Sequence, residues 1–361
     1  MPVNRSFWDG RRSFVTGHTG FKGGWLATWL VEMGAKVTGY SLPPKTEGCY
    51  FTLCNLEKRL DSQFGDVLGV ETLSAAMHRA RPEIVFHLAA QPIVRRSYRQ
   101  PAETFATNVM GTVNLLEAAR STPSVRAVVV ITSDKCYENR DSIWGYREHD
   151  PMGGHDPYSA SKGCAELVTA AYQRSFFQSE DLHLNAATVR AGNVFGGGDS
   201  AEDRLVPDAV RALHSGEPLI VRNPHSVRPW QHVVEPLAGY LAIAERLYAD
   251  GNQWAGAWNF GPSDDAAVTV STLADLLIKH WGDGCWRAAE DVNAPHEARY
   301  LKLDCSKART LLGWKQVLSL DKAVDMTTRW YRQSWSNPAA DMFDYSCQQI
   351  LDYEQLAGKA E

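Results

Sequence analysis

The chain has 361 residues, 44% hydrophobic and 22% charged, with a net charge of −5 at neutral pH; this is enough for a sizeable core in two domains or one elaborated domain, and it gives no sign of a nucleic-acid or membrane-surface partner. The N-terminal stretch lacks the apolar segment of a secretory signal and no apolar run is long enough to span a membrane. The 7 cysteines are scattered without CxxC spacing, so the expectation is a cytoplasmic protein with free thiols, without a disulfide scaffold or zinc site.

Short apolar runs alternate with helical patterns through the first half. "RSFVTG" (12–17) predicts a strand and "GGWLATWLVEMG" (23–34) the helix after it. "AKVTGYSL" (35–42) reads as a second strand, "ETLSAAMHRAR" (71–81) as a helix and "PEIVFHLAA" (82–90) as a strand. "NVMGTVNLLEAARS" (108–121) gives a helix with Asn108 at its opening, a natural capping position, and "VRAVVVITS" (125–133) a further strand. A long helix over 159–177 leads into "LNAATVRAGNVFG" (184–196), a strand entering a Gly-rich loop. Continuous apolar strands alternating with helices indicate a parallel sheet covered on both faces, a doubly wound α/β domain. Beyond about Arg190 prolines and short segments break this rhythm. Helices return over 235–251, 270–282 and 321–335, and a smaller, partly interleaved α/β domain is expected.

"TGHTGFKGGW" joins the first strand to the first helix, with Gly17, Gly20 and Gly23 in G-x-x-G-x-x-G spacing. Such glycines permit a tight turn and close approach of backbone to a pyrophosphate, and the helix N-terminus favours negative charge. Thr19, Phe21 and Lys22 complete this turn as cofactor-contact candidates. The second strand ends "VTGYSLPPKT" without the acidic residue that commonly holds a ribose. Tyr40 and Ser41 are the candidates for that hydroxyl, and Lys45 for a phosphate, so NAD and NADP both remain open. Asp66 in "FGDV", with Val67, sits where a third strand would end; it reads equally as an adenine contact or a turn aspartate.

"HDPYSASK" places Tyr158 and Lys162 one helical turn apart, after Asp156 as cap and Pro157 in the first turn. A phenol is a poor base at neutral pH, but a neighbouring ammonium and a pyridinium ring favour the phenolate. It can then take a sugar hydroxyl proton as hydride leaves the carbon. Ser133, at the end of the intervening strand, can bond the same oxygen.

"TGHTGFKG", "HLAAQ", "TNVMGT", "YSASK" and "RAGNVFG" occur in this order, and the chain thereby resembles the extended short-chain dehydrogenase/reductase family over nearly its whole length. The resemblance implies a Rossmann domain of 1–189 with about 229–262, and a nucleotide-sugar domain of about 190–228 with 263–361. It implies Ser133, Tyr158 and Lys162 as a catalytic triad. It also puts Leu88, Ala89, Ala90 and Asn108 at the cofactor and Gln91 at the substrate.

The same strand end carries Asp134-Lys135. Paired ionisable groups there resemble the nucleotide-sugar 4,6-dehydratases. Where the best-known branch has Asp-Glu, Asp-Lys with "ITSDKCY", "RNPHSVRPWQHV" and "YLKLDCSKA" is similar to the CDP-D-glucose 4,6-dehydratases. The implied reaction oxidises C4, eliminates water across C5 and C6, and returns hydride to C6. Asp134, protonated, is the expected acid, and Lys135, or a water it holds, the base. The pair should titrate together. The alternatives are a UDP-N-acetylhexosamine 4,6-dehydratase or a UDP-sugar 4-epimerase. For the diphosphate, planar arginines are suited: Arg204, Arg222, Arg228 and Arg299 are candidates, and by resemblance Asn193 and Arg228 touch it while 219–222 lies beside the base. The resemblance further implies a homodimer or homotetramer built through 109–120 and 159–177, and a role in deoxysugar supply for bacterial surface polysaccharide.

Overall fold

The computed structural model describes residues 3–44, 46, 48–178, 182–263, 266–289, 301–338 and 340–359. Seven parallel strands form the main sheet: β1 (Arg12–Thr16), β2 (Lys36–Ser41), β3 (Asp61–Phe64), β4 (Ile84–His87), β5 (Ala127–Ile131), β6 (Asn185–Ala191) and a seventh, Gly256–Phe260. Their spatial order is β3-β2-β1-β4-β5-β6 with the seventh strand beyond β6. The order reverses between β1 and β4, and ligands of such sheets bind beyond the strand C-termini at that point.

The apolar runs of the strands follow from burial on both faces. Phe14, Val85, Val128 and Val130 join one buried cluster with Leu73, Met77, Leu115 and Leu116. These come from α2 (Val70–Ala80) and α3 (Gly111–Arg120). Val15, Phe86, Val129 and Ile131 face the other side, with Trp25 and Leu26 of α1 (Phe21–Glu32) and Leu237 and Tyr240 of Val234–Asp250. Full burial of one such side chain contributes about 1.5–3 kcal/mol.

Register makes the strand ends level. Thr16 pairs with His87 and His87 with Val130, so the turns after β1, β4 and β5 emerge side by side. A smaller sheet (Asn193–Phe195, Val227–His232, Ala267–Thr269) and a parallel pair (Leu219–Val221 with Trp286–Ala288) lie beyond this edge in sequence. Among the described residues, no helix is long and apolar enough to cross a membrane.

Several elements depart from the sequence expectation. Asn108 caps nothing: it sits inside a π turn (Ala106–Met110) that runs from the short helix Pro101–Phe105 into α3. The helix expected over 159–177 is α4 (Pro157–Tyr172), followed by a π turn over Gln173–Phe177. β3 ends at Phe64, two residues before Asp66, where a third strand was expected to end; the seventh strand and a C-terminal helix, Met342–Lys359, were not expected.

Candidate active site

β5 stops at Ile131. Ser133, in extended conformation, then caps a single helical turn, Asp134–Cys136, by accepting from the Lys135 amide at 3.3 Å. This explains how a buried strand places three polar residues in succession: the tight turn aims each differently. Ser133 Oγ donates to Asp134 Oδ1 at 2.9 Å, while Asp134 Oδ2 is buried without a protein partner. Asp134 is 2% exposed. Burial pushes its carboxyl above the usual range, against the pull of Lys135, the Ser133 hydrogen bond, Lys22 and Arg228. A carboxyl so placed holds its proton to higher pH than an exposed one. Gly192 is needed beside it, because a Cβ there would lie 2.9 Å from Pro229 Cγ and 3.3 Å from Asp134 Oδ2.

α4 delivers Tyr158 and Lys162 to the same place. Asp156 caps it, accepting from the Ser159 amide at 3.0 Å, and Pro157 opens it. Lys162 Nζ donates to the Ile131 carbonyl at 3.1 Å. Burial pushes the Tyr158 phenol up to about 12, with a Ser133 hydrogen bond and the charge of Arg204 pulling it down. Burial lowers the Lys162 ammonium to about 8, opposed by Glu166 and Cys136. Ser133, Asp134, Tyr158 and Lys162 therefore share one buried neighbourhood, with Lys135 half-buried beside them.

The glycine turn closes the other side. Gly17 has φ +75°, and a Cβ there would lie 2.7 Å from the Ala89 amide. A Cβ on Gly23 would lie 2.1 Å from the Gly17 carbonyl. Gly20 caps α1 without a side chain, so the first-turn amides of Phe21, Lys22 and Gly23 point out of the helix. These features fit a dinucleotide diphosphate. Thr16 Oγ1 accepts from the Leu88 and Ala89 amides at 3.1 and 3.2 Å, which fills its lone pairs. Its proton therefore goes to His87 Nδ1, 2.8 Å away, and fixes that neutral imidazole. Burial lowers His87 to about 3. The Leu88–Ala90 turn is thus pinned beside Gly17. Lys22 feels Asp134, Arg204 and Lys162, and burial lowers it to about 7.

Other candidates divide. Thr19 Oγ1 lies 2.8 Å from Ser41 Oγ at the open end of β2. Tyr40 turns the other way: it is 3% exposed and its hydroxyl is taken by the Asp66 carbonyl and Thr72, which leaves Ser41 as the candidate at this strand end. Asp66 is exposed and accepts from the Leu68 amide, while Val67 is buried. Gln91 spends its side-chain amide on Ile93 and Thr104, bracing its own loop. Asn108 binds the Gln91 backbone and Ser161 Oγ, so it fastens the Gln91 turn to α4. Arg228 is 8% exposed and acts on Asp134. Arg204 pairs with Asp199 at 2.9 Å and acts on Tyr158. Arg222 pairs with Asp203 at 2.8 Å. Asn193 follows Gly192 at the start of the small sheet. Arg299 and Lys45 lie outside the described residues.

A profile of the GDP-mannose 4,6 dehydratase family matches residues 14–327. The chain belongs to that family. It is 50% identical over 354 residues to the CDP-glucose 4,6-dehydratase of Salmonella typhimurium, an alignment covering 97% of this chain and 98% of that protein. It is 26% identical over 348 residues to a dTDP-glucose 4,6-dehydratase of Xanthomonas campestris, covering 91% and 95% respectively. Among solved structures, the dTDP-glucose 4,6-dehydratase of Streptomyces venezuelae with NAD bound matches with a TM-score of 0.76 at 25% identity, covering 90% of this chain and 99% of that one.

In this family member the site also includes groups that the sequence reading did not single out. Glu166 and Arg190 form a buried ion pair one helical turn beyond Lys162, Thr16 pairs with His87, and Asp199 with Arg204. Glu166 stands one further turn along from Lys162, and Arg190 interrupts an otherwise apolar strand. Both were visible as buried charges that needed a partner.

Proposed function

We propose that the protein is a CDP-D-glucose 4,6-dehydratase that uses NAD. The observation that carries this reading is the buried, partnerless Asp134 oxygen next to Ser133, in a chain half identical to a named CDP-glucose 4,6-dehydratase along its whole length. An epimerase needs no second acid beside its triad. NAD is favoured over NADP by the relatives solved with NAD.

The glycine turn of Gly17, Gly20 and Gly23 would hold the nicotinamide cofactor, which would supply reversible hydride acceptance between C4 and C6. The chain handles the protons. Tyr158 takes the C4 hydroxyl proton, and Ser133 bonds the same oxygen. Lys162 holds positive charge near Tyr158, which favours its phenolate. The C4 ketone acidifies C5–H, which Lys135, directly or through a water, removes. Asp134 gives its proton to the C6 hydroxyl, which leaves as water. Once C6 has been reduced, Lys135 returns a proton to C5, Tyr158 releases the proton it took from the C4 hydroxyl, and Asp134 takes one back, so that no proton is gained or lost over the cycle. Arg228 and Asn193 hold the diphosphate, with Arg204 and Arg222 beside them.

The division into 1–189 with about 229–262 and the remaining chain assigns cofactor to the first part and sugar nucleotide to the second. Phe105, Met110, Leu167 and Phe176 are 37–58% exposed on or next to α3 and α4, which supports a homodimer through these helices. A cytoplasmic role in supplying deoxysugars for surface polysaccharide fits this chemistry. Incubation with CDP-, UDP-, dTDP- and GDP-glucose and with UDP-N-acetylglucosamine, followed by mass spectrometry, tests the reading. A 4-keto-6-deoxy product from CDP-glucose is expected, and its absence, or product from UDP-N-acetylglucosamine alone, refutes it.

A further inference from the structure

Glu166 and Arg190 are 4% and 3% exposed. Arg190 Nε and Nη2 donate to the two Glu166 oxygens at 2.9 and 2.7 Å. Thr132 Oγ1 donates to Oε1, and Thr188 Oγ1 to Oε2 at 2.6 Å. Arg190 Nη1 reaches the Tyr137 hydroxyl at 2.5 Å. Thr132 and Tyr137 are the residues that immediately flank Ser133–Cys136. Glu166 lies on α4 one turn beyond Lys162, itself one turn beyond Tyr158.

We propose that the Glu166–Arg190 pair is a positioning clamp: it grips both ends of the turn carrying Ser133, Asp134 and Lys135 and fixes that turn against the helix carrying Tyr158 and Lys162. The inference rests on the dehydratase reading. A retained buried ion pair contributes little net stability over apolar packing, so its use here is geometric. Elimination demands that the proton handlers of the turn meet C5 and C6 while the helix holds C4, and only a clamp spanning both elements ties those steps to one sugar pose. The pair also acts on charge, because Glu166 opposes the lowering of the Lys162 ammonium. The other titratable groups facing Lys162 are Cys136 from the turn, His87 from β4 and Lys22 from α1.

The test uses Tyr137→Phe and Thr132→Val, which keep the ion pair and each cut its tether together with one further hydrogen bond of the same hydroxyl, to Asn259 Oδ1 at 2.8 Å and to the Val189 carbonyl at 3.3 Å, with Glu166→Gln as the charge variant and Asn259→Ala as the control for the first. C4 oxidation is followed by nicotinamide absorbance in single turnover, and product by mass spectrometry, with wild type in parallel. Each tether variant is expected to slow product formation about tenfold or more, the scale of one to two lost hydrogen bonds, with C4 oxidation and KM changed less than about twofold. If Glu166→Gln folds, its C4 oxidation loses its alkaline limb at lower pH than wild type. Tether variants with unchanged product formation, or with both steps falling together in proportion to melting temperature, overturn the clamp. Wild type that makes no product from CDP-glucose overturns the dehydratase reading itself.

Discussion

Asp134→Asn separates the two halves of the reaction. The substitution keeps shape, and Ser133 Oγ can still donate to the amide oxygen in place of Oδ1, now at 2.9 Å. The partnerless Oδ2 becomes an NH₂ group, and a buried donor left unmet costs about 1–3 kcal/mol. Against this, the variant loses a carboxyl whose charged form burial disfavours. Its folded-state pKa lies above the unfolded one. The native chain therefore holds this proton longer, and the group's stability contribution is full below the unfolded pKa and is lost as pH rises through the folded one. The melting-temperature difference must shift in favour of Asn as pH rises. Catalysis is affected far more. A positioned general acid is worth roughly 10²–10⁴-fold, or about 3–5 kcal/mol of barrier, all of it in the water-loss step. Single-turnover absorbance should show C4 oxidation within about threefold of wild type, with product formation reduced by the larger factor. Product at the wild-type rate, or C4 oxidation lost in the same proportion, refutes the assignment of Asp134 as the acid.

Lys162→Met should abolish C4 oxidation. Because burial lowers the folded ammonium to about 8 from 10.5, this group's stability contribution is present above the unfolded value and lost as pH falls through about 8; thermal melts should show wild type gaining on the variant between those pH values. Gly17→Ala combines a left-handed residue with a Cβ placed 2.7 Å from the Ala89 amide. It should weaken NAD binding at least about tenfold by calorimetry, since the backbone penalty alone is roughly 1–2 kcal/mol. Arg228→Met should raise the KM for CDP-glucose about tenfold or more, the loss of a charge-assisted contact, with kcat less affected.

The strands that were legible in sequence are those buried on both faces: "FVT", "IVFH" and "AVVVI" need apolar residues throughout. β3, Asp61–Phe64, has the burial of an edge strand, partly or largely exposed at each position, and "DSQF" carries no apolar pattern. The helix Met342–Lys359 buries Phe343, Ile350 and Tyr353 against the core, but polar residues dilute its stripe. The strand-end cluster was legible because ionisable residues directly after an apolar run are unusual. The direction of individual side chains was not. Tyr40 alternates into the core because its neighbours on β2 set the face, and Gln91 folds back on a loop whose path no local pattern predicts. Asn108 looked like a cap from its place before a helical pattern, but the short helix Pro101–Phe105 ahead of it makes the position internal. Glu166 was within reach of the sequence, since it extends the Tyr158–Lys162 spacing by one turn, but its four donors come from Thr132, just after β5, and from β6, and only the fold supplies the adjacency of these strands.

Isotope transfer tests the central claim most directly. With CDP-D-glucose carrying deuterium at C4, turned over in ordinary water, the account predicts deuterium at C6 of the same product molecule; in heavy water with unlabelled substrate it predicts a single solvent deuterium at C5. Deuterium retained at C4, washed into solvent, or found on a different sugar molecule would contradict it.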